Sequence, residues 1–166
     1  MKLYIAGPDV FRPDVLKWAA TVRALCRESG HRALIPLDGG QTTPAGIYRN
    51  NLLLIGEADA VLANLNPFRG VEPDSGTCVE IGYALALGKP VIGYADTLLP
   101  LRDRLPAVGQ DADGRCRDAT GWAVEDFGLS LNLMLSVPVR LEQGGIEAAL
   151  RAVAGLQRQG HSAAGC

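Results

Sequence analysis

No run in this chain approaches the ~20 apolar residues that a membrane-spanning helix needs, and the apolar start, MKLYIAGPDVF, breaks at Gly7-Pro8, too soon for a signal peptide. The expected location is the cytoplasm. Neither sign of charge dominates: 16 Lys and Arg face 18 Asp and Glu, for a net charge of −2, so the chain carries no electrostatic footprint for nucleic acid or an anionic membrane. Histidine is scarce, with His31 and His161 alone, and Cys26, Cys78, Cys116 and Cys166 are scattered without a CxxC pair. That distribution argues against a zinc site and against a disulfide framework, and leaves free thiols, with Cys78 a small buried filler rather than a nucleophile. GxxxxGK[ST] and GxGxxG are both absent, which removes the P-loop and the dinucleotide fingerprint, and no GxSxG elbow or Cys/His pair is evident. No metal and no organic cofactor is implied.

What is present is an ordinary globular composition, 48% hydrophobic and 20% charged over 166 residues, enough for one domain with a real core. Lys2 to Ala6 is a short β-rich run delivered into a loop at Gly7-Pro8. Pro13 and Asp14 open a helix whose apolar face would be Val15, Leu16, Ala19, Val22, Leu25 and Cys26, closed by Ser29-Gly30. Arg32 to Leu37 reads as a second strand interrupted by Pro36, followed by the Gly-rich loop Asp38 to Ala45, an amphipathic segment Ile47 to Glu57 and an apolar strand Asp59 to Leu65. A loop from Pro67 to Gly76 then enters a helix that ends at Gly88-Lys89-Pro90, before a strand Val91 to Tyr94. This alternation predicts a doubly wound parallel sheet with helices on both faces and parallel, right-handed crossovers. The ligand edge should lie where the loops around 7–13, 38–45, 66–76 and 95–100 converge.

Beyond Asp96 the pattern weakens to a surface excursion with one helical turn near Leu99 to Leu105; order resumes at Asp126 to Leu135, with an edge strand Val137 to Leu141 and a helix Gly145 to Leu156. Residues 1–156 are thus expected to form one domain and 157–166 a flexible tail.

The chemically able groups at the predicted edge are carboxylates (Asp9, Asp38, Glu72, Asp74, Glu80), amides (Gln41, Asn51, Asn66) and the Tyr4 hydroxyl. Asp74 and Glu80 flank the start of the central helix beside Gly76 and Thr77, where backbone groups can approach a ligand. On a helix Val79 and Ile81 would face the sheet and Glu80 would look outward. A bland alternative makes Asp74 or Ser75 an N-cap and Glu80 a solvated first-turn acid. Carboxylates without histidine, metal ligands or phosphate clamps favour displacement at an acetal-like carbon, where one carboxylate attacks and an acceptor breaks the resulting ester.

The segments KLYIAGPDVF, YRNNLLLIGEADAVLANLNPFRG, EPDSGTCVEIGYALALGKPV and FGLSLNLML resemble, in order, the nucleoside 2-deoxyribosyltransferase family. The resemblance implies a flavodoxin-like fold and exchange of bases on 2'-deoxynucleosides by a retaining mechanism. It makes Glu80 the nucleophile, Tyr4 the residue that orients it, and Asp74 the binder of sugar hydroxyls. Asn132 and Met134 match the Asn-Leu-Met that a neighbouring subunit inserts into the site, which implies a homo-oligomer, a dimer or trimer of dimers, with shared active sites. Gly7, Phe11, Asp38, Gln41 and Gly76 are further candidates for substrate binding, with Phe11 and Gln41 against the base. The partners implied are a 2'-deoxynucleoside and a free nucleobase.

Asn51 departs from the pattern, since some members carry an aspartate there that can protonate the leaving base. A carboxamide has no acidic proton to give, so either Asp38 or Asp9 supplies it or the base is activated by hydrogen bonds alone. Two rivals stand beside base exchange. One is a 2'-deoxynucleoside 5'-monophosphate hydrolase, with Ser75 and Arg69 near the phosphate. The other is a noncatalytic nucleotide-binding module.

Overall fold

The computed structural model describes residues 1–105 and 109–162, with side chains to 156. In chain order the elements are β1 (Lys2–Ala6), α1 (Val15–Glu28), β2 (Arg32–Leu34), α2 (Pro44–Glu57), β3 (Ala60–Asn64), α3 (Ser75–Ala86), β4 (Val91–Ala95), α4 (Leu101–Arg104), the short strands β5 (Gly109–Gln110) and β6 (Cys116–Arg117), α5 (Leu133–Ser136), β7 (Arg140–Gln143) and α6 (Ile146–Ser162). A 3-10 turn, Pro8–Phe11, follows β1. Five strands form one parallel sheet in the order β2-β1-β3-β4-β7, while β5 and β6 pair antiparallel in a separate hairpin. This is the flavodoxin-like arrangement, with the strand order reversing between β1 and β3.

Alternation along the strands separates two cores. Leu3, Ile5, Ala60, Leu62 and Ile92 point to one face, where Ala19, Val22 and Cys26 of α1 and Ala149, Leu150 and Val153 of α6 cover them. Tyr4, Ala6, Val61 and Ala63 point to the other, against Ile55 of α2, Ile81 and Ala84 of α3, and Leu135 of α5. Strands covered on both sides read as the continuous apolar runs seen here. The parity matters for chemistry, because it puts Tyr4 on the α3 side of the sheet.

Several elements differ in detail from the sequence pattern. Leu16 stands 78% exposed, so α1 buries the narrower stripe Ala19, Val22 and Cys26. The second strand stops at Leu34, before Pro36, which has no N–H to donate to a ladder. The last strand runs Arg140–Gln143 rather than from Val137. The final helix, expected to end at Leu156, continues to Ser162, so the segment expected as a tail begins as helix; residues 163–166 lie outside the described residues. No helix among the described residues is long and apolar enough to cross a membrane.

Candidate active site

The residues of α3 that turn inward are Thr77, Ile81 and Ala84, spaced four and three apart as one helical face requires. Val79 is 61% exposed, which reverses the expectation that it packs on the sheet with Glu80 outside. Glu80, three residues after Thr77, borders the buried stripe and points back over the end of β1. There the buried Tyr4 hydroxyl donates to Glu80 Oε1 at 2.6 Å. Asn51, from α2, donates its Nδ2 to the same oxygen at 3.3 Å. Both bonds fall on Oε1, leaving Oε2 without a protein hydrogen bond among the described residues.

Asp74 caps α3: its Oδ2 accepts from Thr77 N–H at 2.9 Å and from the Thr77 hydroxyl at 3.1 Å. The capping role and the place beside the site are therefore compatible, and the bland reading holds for Asp74 but not for Glu80. Around these groups lies a cavity of about 360 Å³ lined by Gly7, Val10, Phe11, Pro36, Leu37, Gln41, Ile47, Asn51, Asp74, Gly76, Thr77 and Glu80. Its walls are largely apolar, and the charged side chains among them are the two carboxylates. Gly7 and Gly76 allow close approach: a Cβ on Gly7 would lie 2.8 Å from Asn64 Cβ, at a φ of 153°, and one on Gly76 would lie 3.0 Å from Asp74 Oδ2.

Burial pushes the Glu80 carboxyl up to about 7 against the pull of the Tyr4 hydrogen bond; the Asp74 charge adds to the rise, and the Asn51 amide opposes it. The Tyr4 hydroxyl bond lowers the proton affinity of Glu80, but removal from water outweighs it. Burial and the neighbouring Glu80 charge raise the Tyr4 hydroxyl above its ordinary value, so it stays protonated and remains a donor.

Eight of the sequence candidates thus meet at one place: Tyr4, Gly7, Phe11, Gln41, Asn51, Asp74, Gly76 and Glu80. Asp38 does not line the cavity. Its carboxylate is taken by Arg23 and by the Ile35 N–H at 2.9 Å, which makes it a clamp for the loop that carries Leu37 and Gln41. Asp9, the other acid considered for the leaving base, is also occupied elsewhere, accepting from Asn64 Nδ2 at 2.7 Å. Asn132 and Met134 lie beyond α3, on a second cavity shared with Ser75, Cys78, Ile81 and Leu85. The loop after β4 contributes nothing to the first cavity; its Asp96 N–H instead bonds Asn66 Oδ1.

Phe11 is 58% exposed and stacks on Phe68, ring centroids 5.5 Å apart, with the Arg69 guanidinium over both rings. Arg69, at a φ of 56°, is thereby committed to the aromatic pair. Sequence reasoning missed the apolar wall of Val10, Pro36, Leu37 and Ile47. Their only local signal is that they fall in or next to the loops that follow strands. Cys78 is half-buried and burial raises its thiol, as suits a filler.

Comparison with known proteins bears on this geometry. A family model described as nucleoside 2-deoxyribosyltransferase matches residues 3–134. A 2-deoxyribosyltransferase from Leishmania mexicana is similar in structure, with a TM-score of 0.77 at 36% identity, over 92% of this chain and 97% of that one. A conserved protein from Enterococcus faecalis V583 shares the fold at a TM-score of 0.55 and 20% identity, over 91% and 95% of the two chains. An uncharacterised protein of Schizosaccharomyces pombe is 28% identical over 165 residues, 86% of this chain and 78% of its own length.

Proposed function

The chain belongs to the nucleoside 2-deoxyribosyltransferase family and is a transferase; from that premise we propose that it moves a 2-deoxyribosyl group between nucleobases through an ester on Glu80. The observation that carries this reading is the convergence of Tyr4 and Asn51 on one oxygen of Glu80 inside an apolar-walled cavity. The oxygen left over, Oε2, attacks C1′ of the bound 2'-deoxynucleoside. The bond from C1′ to the base breaks, the electron pair leaves with the base, and an Oε2–C1′ ester forms. A second base then attacks C1′ from the face the first one left, and the ester breaks to return the carboxylate. Two inversions give retention. Tyr4 holds Glu80 by donating to Oε1, and Asp74 is placed to accept from sugar hydroxyls.

The absence of a 2'-hydroxyl removes an electron-withdrawing group from beside the developing cation, which favours deoxy over ribo donors. With Asp9 and Asp38 both engaged outside the cavity, the leaving base is activated by hydrogen bonds, from Asn51 and Gln41, rather than by a carboxylic acid at those positions. Of the phosphate contacts considered for the monophosphate hydrolase, Ser75 lines the other cavity and Arg69 is held over the Phe11 and Phe68 rings. The proposed donors are uncharged deoxynucleosides, and the proposed location is the cytoplasm. We include in the proposal a homo-oligomer in which Asn132–Met134 of one subunit completes the site of its neighbour. Met134 is 72% and Val137 74% exposed, side chains that a partner would cover.

The test is incubation with 2'-deoxyinosine and free adenine, followed by chromatography for 2'-deoxyadenosine. Wild type should form the new nucleoside and Glu80→Ala should not. Hypoxanthine and free deoxyribose without exchange would favour the hydrolase, and no reaction with any donor would favour a binding module.

A further inference from the structure

A single helical turn does not hold itself, because nucleation fixes several residues for one hydrogen bond. The turn in question, α5, is four residues long, and five side-chain hydrogen bonds define it. Glu125 Oε2 accepts from Leu133 N–H at 2.9 Å, and Glu125 Oε1 accepts from Asn132 Nδ2 at 2.8 Å. Asn132 Oδ1 then accepts from Met134 N–H at 3.0 Å. Ser136 Oγ closes the unit by accepting from Leu131 N–H at 3.1 Å and donating to Leu131 C=O at 3.0 Å. The segment is tied further to the entrance of α3 by Arg104, which donates to the carbonyls of Ser130 and of Val71.

Two consequences follow from the directions of these bonds. The Asn132 carboxamide is oriented from within its own subunit, giving one Nδ2–H to Glu125 and accepting from Met134 N–H, which leaves its second N–H to point outward. What α5 offers outward is the Met134 side chain, on a backbone that Glu125 fixes. We propose that Glu125 is a positioning residue for the active site of the neighbouring subunit, acting through Asn132 and α5 to hold Met134 in place. This rests on the shared-site reading given above and adds to it the residue that fixes the Asn132 carboxamide and the Met134 backbone. Glu125 makes no contact with the cavity of its own subunit, so removing it should damage activity only in trans.

Subunit complementation tests this. Glu125→Ala alone should lose ten-fold or more in kcat/KM while remaining folded and oligomeric, and Glu125→Gln, which keeps one acceptor for the Leu133 N–H, should lose less. Glu80→Ala alone should be inactive. Co-expressed with different affinity tags and purified through both, a Glu125→Ala and Glu80→Ala hetero-oligomer should regain about half the wild-type rate per dimer, because one site in each pair has an intact Glu80 and an intact facing α5. If Glu125→Ala does not assemble, Glu125→Gln takes its place in the hetero-oligomer. Full activity of both variants, or impaired variants without recovery in the hetero-oligomer, overturns the inference while leaving base exchange by the wild type intact. Absence of exchange in the wild type itself overturns the functional reading and the inference with it.

Discussion

As the proposed nucleophile Glu80 has to be ionised to attack, and it is held where ionisation is unfavourable. With the carboxyl raised to about 7 by burial, kcat/KM should rise with pH through about 7 and level off above it. The same shift appears in stability. Between about 4.5, the ordinary glutamate value, and about 7 the folded protein binds a proton that the unfolded chain does not. Stability therefore falls as pH rises through that window, by about 3 kcal/mol in all, and is flat above it. Glu80→Gln abolishes this loss while an amide oxygen still accepts from Tyr4. Its Tm should exceed that of wild type by roughly 6–12 °C at pH 8 and by much less at pH 5, as calorimetry at the two pH values would show. Tyr4→Phe keeps the buried ring and removes the donor that lowers the Glu80 pKa. Its kcat/KM should fall on the order of 10- to 100-fold at neutral pH, and the acidic limb of its pH profile should move upward. An unmoved limb would mean that Tyr4 only fills space.

Among the elements, α3 carries two functions at one end, because Asp74 is both its N-cap and a wall of the cavity. The two separate by substitution. Asp74→Asn keeps an acceptor for the Thr77 N–H, so thermal stability should be near wild type, while the lost charge should raise KM for the deoxynucleoside. Asp74→Ala should add a loss of about 1 kcal/mol in denaturant unfolding. The turn after β1 is the second critical element. Gly7→Ala would force Cβ against Asn64 at a φ that side chains avoid, and Asn64 is the residue that holds Asp9 and with it the Pro8–Phe11 turn. We expect a cost of about 1–3 kcal/mol and weaker base binding, read as a rise in KM for adenine, since Phe11 rides on that turn.

For the whole molecule the site proposed here is a property of the assembly. Specific activity should therefore fall on dilution, in step with dissociation followed by analytical ultracentrifugation, and Met134→Asp should lower activity even where Glu80, Tyr4 and Asn51 are untouched. A monomer with undiminished specific activity would refute the shared site.

The sequence by itself determined the order of strands and helices, since apolar runs broken by Gly, Pro and polar loops are local signals, and that order brings the doubly wound sheet with it. It also marked Glu80, Asp74, Tyr4 and Asn51, through motifs whose residue types and spacing are visible in one dimension. Only the tertiary structure decided which way α3 is turned, because Val79 and Ile81 are equally apolar and the choice between them depends on which stripe meets Tyr4 and Ile55. It alone showed Asp38 bonded to Arg23 and absent from the cavity lining, because that partner comes from the preceding helix. It also showed Glu125 clamping Asn132 from within a stretch where the sequence pattern is weak, since a hydrogen bond across a loop leaves no periodic trace. The proton affinity of Glu80 is likewise tertiary, for it is set by how much water the folded walls exclude.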